Sequence, residues 1–136
     1  MEFFLILRTL HSLVRWVIML VALVAAIKFA WGWFKQARVT KSDRALMSTF
    51  SGLMDAQVLL GLILLVGQGL TTPIGFPMNR IEHMITLIVA AVVAHMPMAW
   101  KKDESATTLR NNLFVIIVVV ILIIFGVASL GGNRWL

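Results

Sequence analysis

The chain has no cysteine and no tyrosine among its 136 residues. Without cysteine there is no disulfide, iron–sulfur cluster, thiolate metal site or covalently attached c-type haem. Charge is scarce as well: Asp, Glu, Lys and Arg together make up 13% of the sequence, while apolar residues make up 60%. A soluble domain carries about 25% charge and is roughly half apolar. The surplus apolar surface therefore faces lipid, and the length suits one domain, residues 1–136, that is mostly membrane span. Catalytic signatures are missing too. There is no Gly-rich phosphate loop, no ordered Ser-His-Asp set and no metalloprotease motif.

What is present is four long apolar runs. A span needs about 20 mainly apolar residues, and the runs 10–34, 46–70, 81–100 and 113–130 meet that length. Phe3–Leu7 can extend the first. The breaks between them are a basic stretch (Lys35–Arg44), a stretch with Pro73, Gly75 and Pro77, and a charged stretch (Lys101–Asn112). The expected fold is an all-α integral membrane protein, a four-transmembrane-helix bundle with antiparallel neighbours. The first run does not read as a cleavable signal: it opens on Glu2, it is long, and no A-x-A site follows.

Four spans put both termini on one side, with the Thr71–Arg80 loop. The other two loops carry Lys35, Arg38, Lys41, Arg44, Lys101, Lys102 and Arg110. Basic loops stay in the cytoplasm, so both termini are expected on the outer face of a bacterial inner membrane. The formal charge of +6 is this loop bias rather than a nucleic-acid footprint. Trp31, Trp33, Trp100 and Trp135 fall where an aromatic belt belongs. The fourth run is nearly all Val, Ile, Leu and Phe and reads as a lipid-facing wall.

Ionisable groups inside a span are costly and usually face the bundle interior. The first and third spans run in the same direction, and His11 and His83 each lie a few residues from their outer ends, at one depth. Two such histidines suit bis-imidazole ligation of haem b. His11 shares a face with Arg8, Arg15, Ile18, Ala22 and Ala25, and His83 shares one with Leu87, Ala90 and Ala94. Alanines such as Ala90 would leave room for a flat macrocycle. Arg8, Arg15 and Arg80 stand at the end where propionates would need cations. The plainer alternative is that these histidines bond to lipid or to a neighbouring helix, with Arg8 or Arg15 paired to Glu82.

A second polar set is Lys28, Asp55 and His95. His95 lies about 18 Å along the helix axis from His83, so the two cannot share a ligand plane. This set either carries protons or binds a quinone head group, or is a structural Lys28–Asp55 ion pair that fixes packing; the latter is preferred. His95-Met96-Pro97-Met98 invites copper, since thioethers suit Cu(I). Methionine is a common apolar filler, however, and the eight methionines are scattered, so copper is not favoured.

The segments Leu10-His11-Ser12-Leu13-Val14-Arg15-Trp16, Asp55-Ala56-Gln57-Val58-Leu59-Leu60-Gly61-Leu62 and Arg80-Ile81-Glu82-His83, with Ala94-His95 and Lys101-Lys102 beyond, resemble a group of small four-helix bacterial membrane proteins often labelled cytochrome b. The resemblance covers nearly the whole chain, although the Gly-Gly-Asn-Arg-Trp ending departs from the group's Pro-Trp ending. It implies a haem-linked or quinone-linked protein with His11, His83 and His95 as marked positions. The expectation is thus a haem b electron carrier in the membrane, rather than a stand-alone enzyme. The alternatives are a haem-free subunit of a respiratory or photosynthetic complex, and a small metal- or proton-handling protein. A homo-oligomer or a place in a larger complex is expected.

Overall fold

Each apolar run folds as a helix because, with no water to bond backbone N–H and C=O groups, a segment in lipid must satisfy them internally. The computed structural model describes residues 2–131, so Trp135 lies outside the described residues. The helices are α1 (Glu2–Phe34), α2 (Lys41–Thr71), α3 (Met78–Ala94) and α4 (Ala106–Ala128), with a short 3-10 turn (Met96–Trp100) after α3. All four are long and apolar enough to cross a membrane, α3 when counted with its 3-10 turn.

The ends differ from the expected ones for local reasons. Nothing between Glu2 and Thr9 breaks a helix, so α1 reaches 33 residues, about 50 Å, and overhangs a hydrocarbon core of about 30 Å. Helix α2 starts early because Thr40 caps it. The Thr40 hydroxyl accepts from Asp43 N at 3.3 Å, and the Asp43 carboxylate accepts from Thr40 N at 2.8 Å, a reciprocal capping box. Helix α3 stops at Ala94 because Pro97 lacks an N–H and disfavours α geometry in the residue before it.

The helices form a four-cornered bundle. Helix α1 packs on α2 and α4, α3 packs on the same two, and α1 and α3 stand diagonally opposite. Sequential neighbours run antiparallel. The core repeats every three to four residues: Ile18, Ala22, Ala25 and Phe29 on α1, Met47, Phe50 and Met54 on α2, and Leu87, Ala90, Ala91 and Ala94 on α3. Phe29 and Phe50 are wholly enclosed in the half of the bundle that carries the basic loops. Leu13, Leu20, Leu23, Ile27, Leu59, Val92 and Phe125 lie on the outside, an apolar surface that only lipid or a partner can cover.

One expectation is corrected. Helix α4 is no lipid-facing wall: 44% of its most apolar stretch is inside the bundle, against 22% for each of the others. Leu109, Ile116, Val119 and Ile123 are core residues. Apolar content says that a residue avoids water; it does not separate lipid from a neighbouring helix, since both are equally apolar.

The end with the basic loops is fastened by ion pairs. Lys28 Nζ lies 2.6 Å from Asp43 Oδ1, with the Asp43 side chain buried and that of Lys28 39% exposed. Glu104 accepts from Arg38 at 2.5 Å and from Arg44 at 3.1 Å, and Val39 N donates to Glu104 O at 2.9 Å, tying the two loops together. Arg44 and Arg38 hold the Glu104 carboxyl below its ordinary value. This contribution is complete above the carboxyl's ordinary value and is lost as pH falls through the lowered one. Replacing Asp43 with alanine removes its half of the capping box, the bond from Thr40 N, worth about 1 kcal/mol, and strands Lys28. Because Lys28 is partly solvated, its share stays well under the about 3–5 kcal/mol of a fully buried pair. We expect Asp43→Ala to destabilise by about 2 kcal/mol in total, read as a lower midpoint of thermal unfolding in detergent by circular dichroism. An unchanged midpoint would rule out this fastening.

Candidate functional site

In the other half of the bundle, four helices converge on two imidazoles. His11 and His83, on the diagonal pair α1 and α3, reach across the centre until their ring centroids are 6.4 Å apart with planes at 72°. His83 Nδ1 lies 2.6 Å from Gly126 O on α4. A carbonyl can only accept, so Nδ1 carries the proton and Nε2 keeps the lone pair in the neutral ring. Each ring faces a glycine. On α2, a Cβ at Gly61 would lie 3.4 Å from His11 Cε1 and 3.0 Å from Met84 Cε. On α4, a Cβ at Gly126 would overlap Leu87 Cδ2 and lie 3.6 Å from His83 Nδ1.

Helix α2 adds a polar group that sequence reasoning passed over. Gln57, buried one turn from Gly61, donates from Nε2 to His11 O at 2.8 Å. Its Oε1 and the Nδ1 of His11 are both buried without a hydrogen-bond partner. A buried polar atom left unbonded costs about 1–3 kcal/mol, and His11 and Gln57, joined through His11 O, each carry one. The available signal was a glutamine in the middle of an apolar helix, followed four residues later by glycine.

The other expected site residues are placed as follows. Arg80 donates to Gln68 Oε1 at 2.7 Å, and Gln68 is buried. Arg15 is half-buried, one turn from His11, with its guanidinium 5.7 Å from the centre of the Trp16 ring. Arg8 is exposed. Glu82 is exposed and forms no ion pair among the described residues, so the Arg–Glu82 alternative is not what the fold uses. Ala90 is fully enclosed in the core two turns beyond His83. The small residues against the rings are therefore Gly61 and Gly126 of the flanking helices, and not the alanines of α1 and α3.

The second polar set divides. Lys28 pairs with Asp43, and Asp55 pairs with His95, whose Nε2 lies 2.9 Å from both carboxylate oxygens. The expected Lys28–Asp55 pair is thus replaced by two separate ones. A lysine reaches a carboxylate at its own level on the adjacent helix, and the capping box already holds Asp43 there.

The donor set decides which groups suit the two imidazoles. Two rings that ligate one metal from opposite sides have centroids roughly 6 Å apart, because each metal–nitrogen bond is about 2 Å. The observed 6.4 Å is compatible with that separation, and lies as well within the about 4.5–7 Å of an edge-to-face ring contact. A structural zinc ion takes about four ligands, more than the two imidazoles supply by themselves. A porphyrin brings its own four nitrogens and asks for two. Met84 and Leu87, the flexible side chains that now fill the space over Gly61 and Gly126, are the ones that would give way. Two imidazoles with small residues beside them fit what a haem b asks of a protein. Comparison with family models, curated proteins and solved structures finds no match for this chain.

Proposed function

We propose that this chain is a haem b-binding membrane protein that passes electrons within the bilayer, and that His11 and His83 would hold the haem. The observation that carries the reading is the meeting of these rings across the bundle, 6.4 Å between centroids, with one already oriented by a backbone carbonyl. Bound haem would supply a one-electron iron couple. The chain's part is to hold and tune it. Gly126 O fixes the His83 tautomer and would leave the Nε2 lone pair for a metal, as outer hydrogen bonds do for ligating histidines. Gln57 holds the α1 backbone at His11. Arg8 and Arg80, at the same end of the bundle, suit propionates, and the apolar helices keep water away.

The test is a reduced-minus-oxidised absorbance spectrum of the purified chain, expressed with a haem supply. We expect the sharp bands of a six-coordinate b-type centre at one haem per chain. A preparation without haem absorbance, even after haem is added, overturns the reading.

We also propose the bacterial inner membrane as the location, with the basic loops in the cytoplasm. The support is the excess of lysine and arginine in the 35–44 and 101–112 segments. Because the chain has no cysteine, single cysteines report topology cleanly. A cysteine at Gln36 should resist an impermeant maleimide in intact cells, and one at Ile74 should react. The reverse pattern inverts the orientation.

A further inference from the structure

The Asp55–His95 pair stands at an unusual depth. His95 directly precedes the 3-10 turn that ends at Trp100, whose Nε1 donates to Asn112 Oδ1 at 2.8 Å, just where the apolar run of α4 begins. Five residues of 3-10 helix rise about 10 Å, so the pair is well inside the apolar zone. Yet it is not enclosed: the side chains are 56% and 39% exposed. Ionisable groups at membrane depth almost always face a bundle interior or a cavity. Here there is a cavity. Helices α2 and α3 are the most loosely packed neighbours in the bundle, and between them runs a groove of about 260 Å³. Val58, Leu59, Leu62, Ile88, Ala91 and Val92 wall it, and Asp55 and His95 close one end.

The chemistry narrows the occupant. Pockets for drug-sized ligands begin near about 300 Å³, so this groove takes a ring-sized head, and any tail must lie outside in lipid. Its walls are apolar and its only polar groups are at the end facing the basic loops. The Asp55 carboxylate accepts from His95 Nε2–H, which leaves the other nitrogen of the neutral ring as an acceptor. Such a couple can hold a hydroxyl, which donates to Asp55, or a carbonyl, which takes over the His95 N–H now given to Asp55. A ring that exchanges one for the other is a quinone.

We propose that the α2–α3 groove binds the head of a lipid-soluble quinone or quinol, with Asp55 and His95 as its hydrogen-bonding end. The choice of a redox-active ring rests on the electron-transfer reading above, whereas the groove and its polar end stand apart from the haem ligands.

The full chain in quinone-free lipid nanodiscs is illuminated with a photoreactive short-chain benzoquinone, and labelled peptides are located by mass spectrometry. Label is expected between residues 55–62 and 88–95, and excess unlabelled quinone should displace it. Asp55→Asn should lower labelling about tenfold, the loss expected for one hydrogen bond to a charged group. Leu59→Trp, which fills the groove from the lipid side without touching the core, should do at least as much. Both should keep the wild-type haem spectrum and circular dichroism. His11→Ala should lose the haem spectrum and keep the label, so failure of the haem reading and failure of this one are told apart. Label elsewhere, or label indifferent to both groove variants, overturns the proposal. So does efficient cross-linking of two chains through Leu59→Cys in native membranes, since a second copy would then cover the groove.

Discussion

With haem held as proposed, replacing His83 with alanine is expected to abolish the b-type absorbance. The His83 imidazole has no substitute here: among the described residues no third His, Asp or Glu joins the two rings. The nearest other histidine, His95, lies about 18 Å away along the helix and is bonded to Asp55. His11→Ala should do the same from the other side. The haem bands should fall by more than tenfold in either variant, or broaden to a five-coordinate form, and millimolar imidazole should restore part of the signal by entering the vacated space. His95→Ala serves as the control and should leave the bands unchanged. The measurement is the difference spectrum normalised to protein. If His83→Ala keeps wild-type bands, His83 is no ligand, and the 6.4 Å approach of the rings is a packing contact only.

The meeting of His11 and His83 could be anticipated from the sequence because it depends on quantities that a sequence carries. Span direction alternates, helix rise is fixed, and both histidines lie near the ends of parallel spans that are away from the basic loops. Depth follows from counting. Which residues flank the rings does not follow, because it depends on which helices are adjacent and which face each turns inward. Gly126 matters because α4 packs on α3 and offers a carbonyl to His83. In sequence it is one glycine in a run of Val, Ile and Phe, indistinguishable from a packing glycine against lipid. The same blindness made α4 look like a wall. It also made Ala90 look like room beside a cofactor, when its place in the core is already filled.

The polar residues at the other end tell a similar story. Lys28 and Asp55 are the charges that stand out inside apolar runs, so the sequence suggests pairing them. Asp43 sits in a polar stretch and draws no notice. Its position is set by Thr40, three residues before it, through the capping box. That motif is legible, but its consequence is not: it extends α2 outward and brings a buried carboxylate level with Lys28. Asp55 is then left to His95, and a groove on the lipid side becomes polar at one end.

A branched side chain at Gly126 should be the most damaging single change outside the two histidines. An alanine there would meet the tip of Leu87, and a leucine tip can rotate away. Valine adds two methyls that cannot all be accommodated. Thr86 Cγ2 lies 3.5 Å from the Cβ position and His83 Nδ1 lies 3.6 Å from it, so the branches press on both. Overpacking of this kind costs about 1–3 kcal/mol, and parting α3 from α4 also endangers the 2.6 Å bond from His83 to Gly126 O. Once that bond is lost, nothing holds the His83 tautomer, and outer hydrogen bonds to ligating histidines are typically worth about 10–100-fold in affinity. The expected order of haem retention is wild type, then Gly126→Ala with a small loss, then Gly126→Val with about a tenfold or greater loss and a lower unfolding midpoint. A haem titration of the three proteins followed by absorbance reads the order directly. Equal retention in the valine variant would mean that α3 and α4 can separate at no cost to the ligand. The carbonyl of Gly126 would then have no part in positioning His83.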